Sequence, residues 1–183
     1  PARIAYFLNL KGPVVAIDTA CSSSLVAIHQ ACESIRQGES KLAIAGGISV
    51  MTIPYLQILS SQFQMLSPQG RCKTFDASAS GTVWGEGCGV VLLKSYHQAI
   101  QDNDHIYGVI KGTGVNYDGN SNGSTAPSGQ SQTNLEEAVY RKVGINPENI
   151  SYAEAHGTAT VLGDPVEVEA LTNAFSKWTN KKQ

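Results

Sequence analysis

A short apolar run leads directly into a helical pattern, and this junction constrains the fold more than any other part of the chain. Residues 14–17 are all apolar and three of them are β-branched, which predicts a buried strand over residues 14–18. From residue 22 to residue 37 apolar side chains recur at helical spacing, and Gly38 ends the pattern. A buried strand followed at once by a helix is typical of an α/β fold.

Strand and helix patterns alternate along the rest of the chain. The Gly46-Gly47 pair inside the next apolar run indicates a close backbone approach or a β-bulge. Segments rich in Ser, Gly and Pro predict loops. The alternation predicts a mixed sheet covered by helices. The predicted strands span residues 41–50, 88–94, 106–115 and 150–154, the predicted helices 55–65, 95–102, 130–143 and 166–178, and the predicted loops 67–81 and 116–129.

Cys21 lies at the predicted start of the first long helix, in the segment Asp18-Thr19-Ala20-Cys21-Ser22-Ser23-Ser24-Leu25. The unpaired backbone N–H groups of a helix start carry roughly half a positive charge, which favours the nucleophilic thiolate. The small residues around it leave room for a substrate carbonyl. On position alone, a packed core thiol is the alternative, because free cysteine is often buried.

A histidine follows much later, in the small-residue segment Glu154-Ala155-His156-Gly157-Thr158-Ala159-Thr160-Val161-Leu162-Gly163-Asp164-Pro165. A nucleophile and an imidazole far apart in sequence, but able to meet in a fold, are the pattern of covalent cysteine catalysis. We therefore take Cys21 and His156 as candidate catalytic residues. By itself His156 could also be a loop histidine that binds backbone groups.

The other cysteines and histidines have simpler interpretations. Cys32 shares a helical stripe with the apolar side chains and is predicted to lie in the core, and Cys72 and Cys88 are predicted to be structural. His29 and Cys32, one turn apart, could bind a metal, but no second pair completes a site. The run at residues 85–89 resembles a dinucleotide loop, yet it precedes a strand and opens no helix, which favours close backbone packing.

Composition excludes several classes of function. The net charge is −2 without long runs of one sign, so the sequence lacks the cluster of basic residues that is typical of a nucleic-acid-binding protein. No apolar stretch approaches the roughly 20 residues that span a bilayer, and no secretory signal is recognisable. The 4 cysteines form no CxxC pair, which favours a reduced, cytoplasmic compartment.

Both candidate catalytic segments resemble those of the β-ketoacyl synthases, specifically the ketosynthase domains of modular polyketide synthases. The resemblance runs through nearly the whole chain, in the family's order and spacing. Family members often carry Gly where Ala159 stands, and an aromatic or basic residue at the positions of Thr82 and Trp84. The further matching segments are Gly46-Gly47-Ile48-Ser49-Val50, Gly70-Arg71-Cys72-Lys73-Thr74-Phe75-Asp76, residues 85–94, Asn116-Tyr117-Asp118-Gly119, Thr125-Ala126-Pro127-Ser128 and residues 167–171.

The resemblance implies a decarboxylative Claisen condensation. Cys21 would take an acyl group from an acyl carrier protein thioester, and its own N–H would help to bind the oxyanion. A malonyl-type extender would then lose carbon dioxide, and its enolate, stabilised by His156, would attack the acyl-enzyme. Thr158 and Thr160 match positions that contact the pantetheine arm. The domain would bind no metal and no cofactor of its own.

The resemblance also implies a thiolase-like fold, layered α-β-α-β-α in the complete domain. Residues 1–183 would then be one incomplete ketosynthase domain, truncated at both ends. Residues 1–101 would be the remainder of the N-terminal half, and residues 102–183 the start of the C-terminal half. The family's second active-site histidine would lie beyond Gln183, and the complete domain would be a homodimer. Residues 116–131 and 161–179 look most like synthases whose acyltransferase acts in trans.

Two other functions stay open at this point. One is a ketosynthase-like domain that holds or transfers an acyl chain without elongating it. The other is a thiolase-family enzyme that acts on coenzyme A esters.

Overall fold

The computed structural model describes residues 1–121, 123 and 126–179, and Thr125 of the matching loop segment lies outside them. The described chain forms two compact units, one of Pro1–Val50 with Glu86–Thr113 and one of Met51–Gly85 with Gly114–Gln183. None of the described helices is long and apolar enough to cross a membrane. The elements are α1 (Ala2–Phe7), α2 (Ser23–Arg36), β1 (Leu42–Ser49), α3 (Tyr55–Gln62), β2 (Gly87–Lys94), α4 (Tyr96–Gln101), α5 (Gly129–Val143) and α6 (Gly163–Ser176), with short 3₁₀ turns at Ala20–Ser22 and Pro147–Asn149.

In the first unit, β1 and β2 form an antiparallel pair although 37 residues separate them in sequence, from 50 to 86. The register runs from Leu42 opposite Lys94 to Ser49 opposite Gly87. The strand predictions for residues 41–50 and 88–94 are confirmed. The pair is the sheet against which the helix after Cys21 packs.

Two glycines of β1 allow this close packing. A Cβ on Gly47 would lie 2.8 Å from Cβ of Ser24 in α2, and a Cβ on Gly46 would lie 2.3 Å from the Gly89 carbonyl oxygen of β2. Both distances are shorter than a side chain tolerates, so the close backbone approach predicted from the glycine pair is confirmed. Packing of α2 on β1 places the N-terminus of the helix, and Cys21 with it, beside the strand.

In the second unit, α5 packs on α6. Thr133 Oγ1 donates a hydrogen bond to the Ala170 carbonyl across the two helices (3.2 Å), and Tyr140 meets Phe175 edge to face with ring centroids 5.9 Å apart. The buried carboxylate of Glu137 binds Arg141 and also Lys177, which directly follows α6. Ser128 caps the start of α5 by accepting the Ser131 N–H, and left-handed Gly144 ends it.

Three predicted strands are wrong. Residues 14–18, 106–115 and 150–154 form no ladder, because among the described residues only β1 and β2 pair as strands. An apolar, β-branched segment becomes a strand only when a neighbouring backbone supplies the hydrogen bonds. Val14 and Val15 are 46% and 62% exposed, so the first of these segments is also not buried within this chain.

The predicted helices form with small shifts at their ends, and the short helix α1 was not predicted. The largest shift is in α6, which begins at Gly163 and ends at Ser176, whereas the sequence predicted residues 166–178. The Gly163 N–H donates to Thr160 Oγ1 (3.0 Å), so a side chain outside the helix supplies the first acceptor. Pro165 therefore lies inside the first turn, where its missing N–H costs nothing.

Candidate active site

Cys21 occupies the middle of the 3₁₀ turn Ala20–Ser22, directly before α2, and its thiol is exposed. The preceding residue, Ala20, has a left-handed backbone with φ +55°. A residue with a Cβ adopts this conformation at a cost of about 1–2 kcal/mol, so the surrounding contacts must hold it. A reactive side chain on a sharp, strained turn is accessible to a substrate, as in other enzymes with a nucleophile before a helix.

Hydroxyl and carboxylate side chains hold this turn. Asp18 accepts the Ala20 N–H (3.1 Å), Ser23 Oγ accepts the Thr19 N–H (2.9 Å), and the same hydroxyl donates to the Ala20 carbonyl (2.7 Å). Ser22 Oγ donates to the Thr19 carbonyl (2.9 Å). Ser22 and Ser23, which follow Cys21, thus bind the backbone of Thr19 and Ala20, which precede it.

The neighbouring thiol and imidazole on α2 have structural roles. Cys32 is buried, and burial raises the pKa of its thiol, with Arg36 opposing and Glu33 adding to the shift. His29 Nδ1 lies 2.8 Å from Thr113 Oγ1. No group of three metal-binding side chains occurs in the described ranges, whereas the absence of a resident metal or cofactor stays a prediction.

Exposed thiols occur at two further positions. Cys72 and Cys88, which the sequence assigned to structural roles, are both exposed. Cys72 Sγ lies 3.6 Å from Thr74 Oγ1 and 3.8 Å from the Gly157 carbonyl oxygen, which places it beside the loop that carries His156. Acyl transfer to Cys21 must therefore be distinguished from transfer to these two thiols.

His156 lies in the second unit, on an exposed loop before α6, whereas Cys21 lies in the first unit. The backbone of the loop is held by Glu167 of α6. The His156 N–H donates to Glu167 Oε1 (2.6 Å) and the Gly157 N–H to Oε2 (2.8 Å). Both carboxylate oxygens thus bind backbone, which leaves the imidazole available to a substrate.

Asp164, in the first turn of α6, holds the same loop further along. Its buried carboxylate accepts the N–H of Ala159 (2.9 Å) and the N–H of Phe75 (2.7 Å). Ala159 and Phe75 have φ values of +58° and +61°, so the carboxylate stabilises two left-handed residues at once. Because glycine adopts this conformation without strain, the backbone explains why glycine is common where Ala159 stands.

Gly157 allows the segment that carries Thr74 to pack against the loop of His156. Its carbonyl accepts a hydrogen bond from Thr74 Oγ1 (2.7 Å), its φ is +52°, and a Cβ there would lie 2.4 Å from Thr74 Cγ2. Only glycine fits both restrictions. The segment that carries Cys72 and Thr74 is therefore part of the support of His156.

Thr158 and Thr160 lie next to each other in this loop. Their hydroxyl oxygens are 2.9 Å apart, and Thr160 Oγ1 also accepts the Gly163 N–H. The structure thus brings the two predicted pantetheine-binding residues together, within the loop of His156. Their predicted role in binding is a proposal taken up below.

Replacing Asp164 by alanine should lower the free energy of unfolding by about 3 kcal/mol, because the buried N–H of Ala159 and the part-buried N–H of Phe75 lose a charged acceptor. Chemical denaturation of the full-length polypeptide measures this. Glu169→Ala on the exposed side of the same helix is the matched control and should change stability by less than about 0.5 kcal/mol. Equal effects of the two substitutions would show that Asp164 does not hold the loop.

Sequence reasoning missed Asp164, Glu167 and Thr74 as supports of the site. The available signal was the pair of acidic residues in the first two turns of a helix, where the helix start favours negative charge. Nothing in the local sequence connects Thr74 with Gly157, 83 residues away.

Comparison with known protein families shows which family this chain belongs to. The family model described as beta-ketoacyl synthase, N-terminal domain, matches residues 1–99, and the model described as beta-ketoacyl synthase, C-terminal domain, matches residues 107–183. The chain belongs to the β-ketoacyl synthase family. The resemblance predicted from the Cys21 and His156 segments is thereby confirmed.

Similar proteins of this family are polyketide synthases. The chain is 55% identical over 183 residues to polyketide synthase PksM and 52% identical over 182 residues to polyketide synthase PksL, both from Bacillus subtilis (strain 168). Each match covers 100% of this chain but 4% of the relative. The chain therefore spans a small part of the curated relatives that it matches.

A solved ketosynthase has the same fold. The ketosynthase from module 6 of the bacillaene synthase of Bacillus subtilis 168 superposes with a TM-score of 0.98 at 52% identity, covering 100% of this chain and 33% of that chain. The predicted α/β, thiolase-like fold class is thereby confirmed. The predicted boundary between residues 101 and 102 stays a prediction.

Proposed function

We propose that this chain supplies the nucleophile and one imidazole of a ketosynthase that condenses an acyl chain with a malonyl-type extender. The Cys21 thiolate attacks the carbonyl carbon of an acyl-carrier thioester. A bond forms between Sγ and that carbon, the bond from that carbon to the carrier's sulfur breaks, and the carrier leaves as a thiolate that takes a proton from water. The extender then loses carbon dioxide, and its enolate carbon attacks the acyl group. A carbon–carbon bond forms, the bond to Sγ breaks, and a β-ketoacyl product and the Cys21 thiolate result.

The observation that carries this proposal is the position of Cys21. Its exposed thiol lies on a strained turn directly before α2. The first backbone N–H groups of a helix have no acceptor within the helix. These groups favour an anion, both the thiolate before attack and the oxyanion that follows. Cys32, buried on the same helix, has no such access.

His156 supports the second half of the reaction. Negative charge develops on the extender thioester oxygen as carbon dioxide leaves, and an imidazole N–H can stabilise it. The backbone of His156 is already held by Glu167, so the side chain is positioned before the substrate arrives. We propose that Thr158 and Thr160 contact the pantetheine arm, whose amides match their hydroxyl groups in hydrogen-bonding character.

The partners follow from this chemistry. The substrates are acyl and malonyl-type thioesters on the phosphopantetheine of an acyl carrier protein, and the complete domain is a homodimer. The reaction requires no metal and no further cofactor, because the thioester itself activates the acyl group. A reduced, cytoplasmic compartment suits a catalytic thiol.

The test is to determine which cysteine carries the acyl group and whether that group is then condensed. The full-length polypeptide is incubated with an acyl-carrier thioester and then with a malonyl-carrier thioester, and its intact mass and Cys-containing peptides are followed. We expect an acyl adduct on Cys21 that disappears as a β-ketoacyl product forms. An adduct on Cys72 or Cys88 would contradict the assignment of the nucleophile. An adduct on Cys21 that persists after malonyl addition would indicate a domain that holds the acyl chain without elongating it.

A further inference from the structure

Trp84 makes a side-chain hydrogen bond to the helix α3. Its indole Nε1 donates to Ser60 Oγ over 2.8 Å, and Ser60 is only 4% exposed. A bond to a buried hydroxyl matters for the local structure, because water does not readily replace the donor when it is removed. The bond joins two segments of the second unit that lie 24 residues apart in sequence.

The same two residues belong to a closed ring of hydrogen bonds. The Ser60 carbonyl accepts the Met65 N–H (3.0 Å), and the Met65 carbonyl accepts the Thr82 N–H (2.9 Å). The Thr82 carbonyl in turn accepts the Ser67 N–H (2.8 Å), so both backbone polar groups of Thr82 are bound. Two residues further along the chain, Trp84 returns to Ser60 and closes the ring.

Gly81, which precedes Thr82, connects this ring to the loop of the candidate histidine. Its N–H donates to the Ala159 carbonyl (2.8 Å), and a Cβ on Gly81 would lie 2.6 Å from the carbonyl carbon of Leu66. Gly81 therefore packs against the ring at a place where no side chain fits. Ala159 is fully buried, and its N–H is bound by Asp164, so its backbone is held from both sides.

The backbone of Ala159 sets the directions in which Thr158 and Thr160 leave the loop. Its φ of +58° is strained for a residue with a Cβ, so this conformation persists only while the surrounding contacts hold it. The hydroxyl oxygens of the two threonines lie 2.9 Å apart in this arrangement. Loss of the bond from Gly81 would remove one of the contacts that fix them.

We propose that Trp84 is a positioning residue for Thr158 and Thr160. Through Ser60 it closes the ring that fixes Gly81, and the Gly81 N–H holds the backbone between the two threonines. Breaking the bond of the indole lets the segment from residue 81 to residue 84 move and weakens its bond to the loop. The effect on the Gly81 amide follows from the contacts alone, whereas the consequence for pantetheine binding rests on the proposed function of the threonines.

Hydrogen exchange of the Gly81 amide in the full-length polypeptide measures this hold directly. Trp84→Phe keeps an aromatic ring but removes the N–H donor, so protection of the Gly81 amide should fall by about fivefold. Trp178→Phe, the same substitution at a tryptophan that is 40% exposed, should leave this protection unchanged. Unchanged protection in Trp84→Phe would overturn the proposal.

Ser60→Ala breaks the same bond from its other end and should lower the protection of Gly81 by a similar factor. Because both substitutions remove one bond, the double variant should lose about as much protection as either single variant. Fully additive losses would show that the two residues act independently, which also contradicts the proposal. If Trp84→Phe does not fold, Ser60→Ala decides the question, with Ser61→Ala at the adjacent, exposed position of α3 as its control.

Acylation by two different thioesters separates positioning from a general loss of stability. One thioester carries the acyl group on the pantetheine of the carrier protein, and the other is the S-ethyl thioester of the same acyl group, which lacks the amides of the arm. A loss of stability slows both reactions equally. Positioning of the threonines instead predicts that Trp84→Phe lowers the preference for the pantetheine thioester, measured as the ratio of the two kcat/KM values, by about fivefold.

Thr158→Val distinguishes failure of this proposal from failure of the proposed function, because it removes a hydroxyl that is proposed to contact the arm. If Thr158→Val lowers the preference and Trp84→Phe does not, the positioning role is wrong and the proposed binding stands. If neither variant lowers the preference while Gly81 protection falls in Trp84→Phe, the threonines do not bind the arm, and the hold of Trp84 on their backbone stands.

Discussion

Replacing Cys21 by alanine is expected to abolish acylation of the protein by an acyl-carrier thioester. Alanine keeps the size and the helical conformation that the turn tolerates, but it removes the sulfur that forms the thioester bond. Removal of a nucleophile from an enzyme of this kind costs on the order of a millionfold in rate, so no adduct should be detected. Intact-protein mass spectrometry after incubation with the thioester measures the result.

The matched controls are Cys72→Ala and Cys88→Ala, which remove exposed thiols that lie outside a helix start. Each should gain the acyl mass at the rate of the unmodified protein. Thermal unfolding of all three variants shows whether the fold is kept. If Cys21→Ala still gains the acyl mass, and one of the controls loses it, then the nucleophile is the other cysteine.

Replacing His156 by alanine is expected to leave acylation intact and to slow decarboxylation of the malonyl extender by about a hundredfold or more. Acylation depends on the thiol and the helix start of α2, whereas stabilisation of the enolate needs the N–H of the imidazole. The loop itself should persist, because Glu167 binds the backbone N–H groups of residues 156 and 157, which alanine retains. Release of carbon dioxide from labelled malonyl thioester, together with the acyl mass, separates the two steps.

His97→Ala is the control, since His97 is exposed on α4. It should change neither step. Equal rates of decarboxylation in His156→Ala and the unmodified protein would exclude His156 from the mechanism. Loss of both steps together would instead indicate that the substitution disturbs the fold.

Local sequence pattern was sufficient to predict those helices and strands whose apolar spacing and end residues lie within one continuous segment. The helix predicted over residues 22–37 is observed as Ser23–Arg36, because its apolar spacing and Gly38 lie within one continuous segment. The strands β1 and β2 carry long apolar runs, and the glycine pair in β1 marks their close contact. Family membership was predictable for the same reason, since the Cys21 and His156 motifs are contiguous stretches of sequence.

Local sequence pattern did not predict which backbone segments pair as strands. The three segments wrongly predicted as strands have the apolar and β-branched composition of strands, but composition does not specify which backbone will pair with them. The strands β1 and β2 were predicted one by one, but nothing in either segment indicates that the two pair. Their antiparallel register brings Ala45 opposite Val91 across a long intervening segment. A ladder depends on two distant backbones that meet, and only the folded chain decides which ones do.

The sequence by itself determined the family, the nucleophile candidate and the histidine candidate, because these are carried by residue types in a fixed local order. Tertiary structure decided how the candidate loop is held. Asp164 binds the backbone of Phe75, 89 residues away, and Thr133 of α5 binds the Ala170 carbonyl of α6. Hydrogen bonds act over a few ångströms in space, whatever the separation along the chain, so these contacts exist only once the chain has folded.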